Sequence, residues 1–232
     1  MKPLQYEDLE NIAVKENGEA MICLDGIHPN LLCQPINRDM EPHTGARTYV
    51  RSGAAKRLCA IAERLRAEAP DTLLLVVYGY RHPALQQSYF ESAKAKLLAQ
   101  NPALNAAALR RETHQYIASP DVAGHPTGGA VDVTLCRSGT ELPMGGAIWD
   151  IRDTERIPTF SEKVTADERS NRLYLRTLML SADFAPFDGE WWHFSYGDRE
   201  WAAYYQKEFA LYEMVGCTGA PPSFVHLLRF LS

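Results

Sequence analysis

Residues 124–135, Gly124-His125-Pro126-Thr127-Gly128-Gly129-Ala130-Val131-Asp132-Val133-Thr134-Leu135, read as a loop that runs straight into a strand. Gly128-Gly129 lets the backbone fold closely around whatever the His125 imidazole binds. From Ala130 onward the pattern alternates, with Val131, Val133 and Leu135 on one face and Ala130, Asp132 and Thr134 on the other. Asp132 therefore points away from the aliphatic side. Taken singly, a loop histidine is more often a hydrogen-bonding residue than a ligand, and an aspartate there caps a turn. Together they suggest a metal site.

Outward from this stretch, the next chemistry-bearing run is Glu190-Trp191-Trp192-His193. Two tryptophans separate a carboxylate from an imidazole, and both polar groups need partners once buried. Two histidine nitrogens and one aspartate oxygen would fill three corners of a tetrahedral Zn²⁺ site, leaving one for a water whose pKa the metal lowers towards about 7. With His193 as third ligand, Glu190 becomes a general base and not a ligand. Residues three apart on an ideal strand face opposite ways, so a kink is predicted at Asp188-Gly189 or as a bulge. The alternative pairs Glu190 with an arginine and His193 with a backbone carbonyl. The two-histidine, one-carboxylate iron site uses the same ligand types, but it begins with ligands one residue apart, whereas six residues separate His125 from Asp132.

Upstream, Thr72 to Tyr78 is a short aliphatic run suited to a buried strand, Gly79 turns the chain, and Arg81 stands at the strand's end. Its guanidinium could donate two hydrogen bonds to an oxyanion; an exposed ion pair is the equal alternative. Helices are predicted from a Ser52 N-cap to about Ala69, from Pro83 to about Gln100, over Ala103 to Ala118 and over Ala166 to Ala182. Trp191 to Tyr196 reads as a strand, and Trp201, Tyr204, Tyr205, Phe209 and Tyr212 predict a helix over Arg199 to Met214 packed on a sheet. Residues 1–48 read as irregular, with one or two short strands around Met21 to Leu24. Strands interleaved irregularly with helices argue for an α+β fold, a single compact domain over 1–232.

Composition narrows the function classes. Of 232 residues, 46% are hydrophobic and 23% charged, as expected of a soluble globular protein. The net charge of -5, with no Lys/Arg cluster, argues against a nucleic-acid partner. Met1 to Glu10 carries acidic residues and no apolar run, and no segment approaches the ~20 apolar residues of a membrane span, so a cytoplasmic protein is expected. Cys23, Cys33, Cys59, Cys136 and Cys217 are odd in number and scattered, indicating neither a disulfide framework nor a thiolate zinc site. Gly216 to Ser232 is more apolar than a free tail and is expected to dock on its own domain. The oligomeric state cannot be read from these residues.

Four separated segments, Gly79-Tyr80-Arg81, His125 with Gly128, Ala130 and Asp132, Pro143-Met144-Gly145, and Glu190-Trp191-Trp192-His193, together resemble the zinc D-alanyl-D-alanine dipeptidases. The H-x-x-G-x-A-x-D pattern is shared with the related D,D-carboxypeptidases and the Hedgehog-like fold, while Glu-Trp-Trp-His resembles the dipeptidase branch. The resemblance implies one Zn²⁺ held by His125, Asp132 and His193, Glu190 as catalytic base and Arg81 as the transition-state arginine. It also implies a central antiparallel sheet flanked by helices and a small closed pocket for a free dipeptide, with Asp150 and Trp192 as substrate-contacting residues. The chain departs from the family pattern at Ala123 and Gly124, where the dipeptidases usually carry serines, and before Tyr49. Asp150 matches the ammonium-binding aspartate only with a one-residue insertion, and Asp153 is its rival. A D,D-carboxypeptidase on the same fold, or a metal-binding module without turnover, are the competing readings.

Overall fold

The computed structural model describes residues 4–216 and the backbone of Phe224–Val225. In chain order the elements are α1 (Tyr6–Leu9), β1 (Ala13–Val14), β2 (Met21–Cys23), β3 (Leu31–Cys33), α2 (Glu41–Thr44), β4 (Tyr49–Arg51), α3 (Ser52–Glu68), β5 (Thr72–Tyr78), α4 (Pro83–Gln100) and α5 (Ala106–His114). They continue with β6 (Ala130–Arg137), β7 (Thr140–Glu141), α6 (Ala166–Ser181), β8 (Ala185–Pro186), β9 (His193–Ser195), α7 (Arg199–Tyr204), β10 (Phe209–Ala210) and β11 (Phe224–Val225). The central sheet runs β3-β5-β6-β9-β8, with β7 turning back on the end of β6. Every pairing in it is antiparallel except β3 with β5, which gives the expected α+β class.

The alternation along β6 divides the sheet as its sequence predicts. Val131, Val133 and Leu135 are buried in one cluster with Leu58, Ile61 and Leu65 of α3 and Leu175, Leu178 and Met179 of α6. Burying each such side chain contributes about 1.5–3 kcal/mol, so this face anchors the sheet that carries the site. On the adjoining strand, β5 pairs regularly with β6 as far as Val76↔Val133 and then shifts by one residue, so that Tyr78 comes opposite Asp132. This bulge turns the end of β5 from the aliphatic side toward the polar one.

Several elements differ from their sequence-based bounds for local reasons. The helix expected to begin with a Ser52 cap starts at Ser52 itself, because the Glu19 carboxylate accepts from Ser52 Oγ and Gly53 N and satisfies the first turn from a distance. α5 starts at Ala106 and not Ala103, since Asn105 caps it by accepting from Ala108 N at 2.9 Å. α6 follows its prediction closely, opened by Thr165 and Glu168 in a reciprocal capping box.

The helix expected over Arg199 to Met214 stops at Tyr204. Gln206 adopts φ 51°, and Lys207 N and Gln206 N bond back to Ala202 O and Ala203 O, a Schellman closure. The chain then forms β10, parallel to β1, so Phe209 and Tyr212 do not extend the helical aromatic face. Residues 1–48 contain more structure than their composition suggests, since β3 joins the edge of the central sheet. The expectation that 216–232 docks falls largely outside the described residues; within them, β11 pairs parallel with β2. Among the described residues no helix is long and apolar enough to cross a membrane.

Candidate active site

Sheet register assembles the polar cluster. Asp132 lies opposite Tyr78 on one neighbouring strand and opposite His193 on the other, and directly paired residues share a face. His125 enters from the single 3-10 turn His125–Thr127, which Gly128 closes at φ 75°. A Cβ on Gly128 would stand 2.7 Å from Met21, so this glycine serves both the turn and the packing. Among the described residues, His125, Asp132 and His193 each offer a ligand atom within 4.8 Å of the others, and all three are buried.

The hydrogen bonds identify which atoms face inward. Nδ1 of His125 lies 2.8 Å from Gly79 O, and since a carbonyl only accepts, this nitrogen carries the proton and Nε2 is free toward Asp132. His193 has Nδ1 3.1 Å from Asp132 Oδ1 and Nε2 3.2 Å from Glu200 Oε2. Asp132 directs Oδ1 at both imidazoles, 3.4 Å from His125 Nε2, while Oδ2 accepts from Trp149 Nε1 at 2.6 Å. Tetrahedral zinc with bonds of about 2.0–2.2 Å sets its ligand atoms about 3.3–3.6 Å apart, close to the Asp132–histidine separations seen here. Each of these residues thus has a second atom fastened by an outer partner, the arrangement that holds metal ligands in place. The donor set fits a zinc ion.

Electrostatics favours a cation at this point. Burial opposes the charge on Asp132, yet His125 and His193 outweigh it and hold the carboxyl well below the usual carboxylate range. Burial also opposes a charge on His193, but Glu200 and Asp132 overcome it and raise its pKa well above the ordinary value. His125, where burial prevails, has its pKa lowered.

The kink predicted beside Asp188-Gly189 is present. Glu190 N bonds to Phe187 O at 2.9 Å and His193 N to Glu190 O at 3.3 Å, so two successive turns separate β8 from β9. They shorten the strand expected over Trp191 to Tyr196, and they bring Glu190 into the lining of the same cavity as His193. Burial pushes the Glu190 carboxyl up to about 7. Arg81 is only 9% exposed and makes no ion pair among the described residues, so the exposed ion-pair alternative does not apply. Neutral groups hold it: Nε donates to Tyr78 Oη at 3.2 Å and Nη1 to Gln86 Oε1 at 2.8 Å, while the rings of Tyr78, Tyr89 and Trp149 surround the guanidinium.

This constellation can be compared with known proteins. The Peptidase_M15 family model, D-ala-D-ala dipeptidase, matches residues 38–213, which include Arg81, His125, Asp132, Glu190 and His193. The chain belongs to this family. It is accordingly a hydrolase. It is 29% identical to the D-alanyl-D-alanine dipeptidase of Synechocystis sp., over 90% of this chain and 94% of the relative. It is 36% identical to the D-alanyl-D-alanine dipeptidase of Enterococcus faecium over a shorter stretch, 34% of this chain and 38% of the relative. A solved structure of VanYB in complex with D-Alanine-D-Alanine is similar at TM-score 0.41 and 17% identity, covering 68% of this chain and 78% of that one.

In this M15 chain the cluster opens on a cavity of about 760 Å³, lined by Arg81, Trp149, Phe187, Glu190 and Glu200 and also by residues of α4. Trp192 is fully buried in the core and does not line this cavity, whereas Trp149 and Phe187 do. Asp150 is also off the wall: its carboxylate accepts from Arg152 Nε at 3.1 Å, while its neighbours Trp149, Ile151 and Arg152 line the cavity. Asp153 likewise does not line it. A Cβ at Gly124 would lie 2.3 Å from Asp198 Oδ2, so the buried Asp198 side chain leaves room there for glycine alone unless it shifts. Trp149 and Glu200 escaped the sequence reading. Their only signals are a tryptophan in an irregular stretch and an acidic residue in the first turn of α7.

Proposed function

We propose that this protein is a zinc-dependent dipeptidase that hydrolyses D-alanyl-D-alanine or a close D-configured dipeptide. The ligands are His125, Asp132 and His193, the general base is Glu190, and Arg81 stabilises the oxyanion. The observation that carries this reading is the convergence of the three ligand atoms within 4.8 Å, with Glu190 and Arg81 lining the same cavity. Zinc bound there supplies Lewis-acid chemistry, lowering the pKa of a water molecule towards about 7.

Glu190 accepts the proton of the attacking water and, protonated, returns it to the departing amine. A carboxyl raised to about 7 by burial suits both directions of transfer near neutral pH. Arg81 has spent two of its donors on Tyr78 and Gln86, and its remaining N–H groups donate to the carbonyl oxygen as that atom gains negative charge. Its directly bonded partners are neutral, so no carboxylate among the described residues ion-pairs with it. The partner is a small free dipeptide; a cytoplasmic location suits it, since free D-alanyl-D-alanine is a precursor of cell-wall peptides.

The test is an assay of purified protein for release of D-alanine from D-alanyl-D-alanine, with metal content measured alongside. One zinc per chain, activity lost to a chelator and restored by zinc, and little action on longer peptides are expected. No amino acid released from a panel of D,D- and L,D-dipeptides by zinc-loaded protein would refute the proposal. Preference for a pentapeptide would move it to a D,D-carboxypeptidase.

A further inference from the structure

The geometry points to Trp149 as a positioning residue that commits Asp132 to the ion through Oδ1 alone. The inference rests on the zinc reading above. A free carboxylate can turn either oxygen, or both, toward a cation. Asp132 is 1% exposed, so little solvent reaches its second oxygen, and Trp149 Nε1 donates to Oδ2 at 2.6 Å while Oδ1 faces both histidines. An indole nitrogen can only donate, so this bond has one possible sense.

An independent feature supports the assignment. Trp149 has φ 67°, the left-handed region that a bulky side chain rarely occupies, and such a conformation persists only where the surroundings enforce it. Here the enforcing contacts are those of the site. The indole meets the Tyr78 ring edge-on at 4.6 Å, Tyr78 stands opposite Asp132 across the bulge, and the Arg81 guanidinium lies 5.6 Å from the indole centroid. A phenylalanine at this position would keep the ring contacts and lose the donor. With Oδ2 released, Asp132 could chelate the ion with both oxygens and occupy the corner the reaction needs.

The experiment compares full-length wild type with Trp149→Phe. Zinc affinity is measured by chelator competition, and the visible spectrum of the cobalt-substituted protein reports coordination. Loss of an outer hydrogen bond to a ligand weakens metal binding by about 10–100-fold, and that loss with an altered cobalt spectrum is expected of the variant. Wild-type affinity and an unchanged spectrum in a folded variant would overturn the inference. If instead wild type binds no zinc, the zinc reading itself fails. Should Trp149→Phe not fold, the zinc-free wild type and Asp132→Ala are compared by indole proton exchange. One of the four indole protons, slowly exchanging in wild type, should exchange faster in the variant; no indole responding would equally overturn the inference.

Discussion

On one side of β6, Val131, Val133 and Leu135 lie in an aliphatic cluster with α3 and α6; on the other, a single residue away along the chain, Asp132 lies among imidazoles, an indole and a phenol. The two sides are specified differently. The aliphatic side needs volume and apolarity, and it tolerates exchange among similar shapes at modest cost. The polar side needs each atom to have a particular partner, because a buried donor or acceptor left unpaired costs far more than a made bond gains. Stability should therefore respond to the first side and chemistry to the second.

The sharpest way to break that division is Glu190→Ala. A general base contributes about 10²–10⁴-fold, so kcat should fall by that factor while zinc stoichiometry and melting temperature stay near wild type. A matching loss of zinc would instead make Glu190 part of the ion's support. Leu135→Ala tests the opposite side: a fully buried leucine truncated to alanine costs about 2–5 kcal/mol of stability, with kcat per folded molecule unchanged. Lowered kcat at full folding would show that the faces are coupled.

Glu200→Ala is expected to weaken zinc binding by about 10–100-fold, since Glu200 accepts from the outer nitrogen of His193. Glu200→Gln, whose amide oxygen can still accept, should recover much of that loss; equal affinity in all three proteins would reduce the contact to packing.

The smallest effect concerns Asp198, which caps α7 by accepting from Trp201 N and whose carboxyl burial pushes up to about 7. Between the ordinary carboxylate range and pH 7 the folded chain keeps a proton that the unfolded chain has released. This group's contribution to stability therefore falls as pH rises through that window. Asp198→Asn keeps a capping oxygen and cannot ionise, so its melting temperature relative to wild type should be higher at pH 8 than at pH 5. The same difference at both pH values would remove Asp198 from the pH response.

These two sides also differ in how far the amino-acid order reveals them. Val131, Val133 and Leu135 declare their face by period-two alternation, and α4 and α6 by a proline and a capping box, because such signals are local. That His125, Asp132, Glu190 and His193 would come together was legible because residue types suited to ligation are few and the glycines mark where backbone must turn. Trp149 and Glu200 were not, since each meets its partner only when an irregular stretch or a helix's first turn folds back to the far side of Asp132 or His193. Substrate contacts suffered similarly: Trp192 sits beside His193 in sequence, yet the double turn sends it into the core. The overlong α7 failed for a different reason. The aromatic spacing continued past Tyr204, and nothing local announced that Gln206 would take a left-handed conformation.

The irregularity in β5 between Val76 and Tyr78 has a bearing on how such chains tolerate length changes. Upstream of it, removing one residue would slide aliphatic side chains to the wrong side and be opposed by the whole core; at the irregularity itself, a deletion would restore regular pairing at no cost to Leu74 or Val76. The same deletion would leave Tyr78 opposite Asp132, on the face where its phenol accepts from Arg81. A shortened chain of this kind should fold and keep both faces in register, which marks this one supernumerary residue as the place where the strand's length can change without exchanging its two sides.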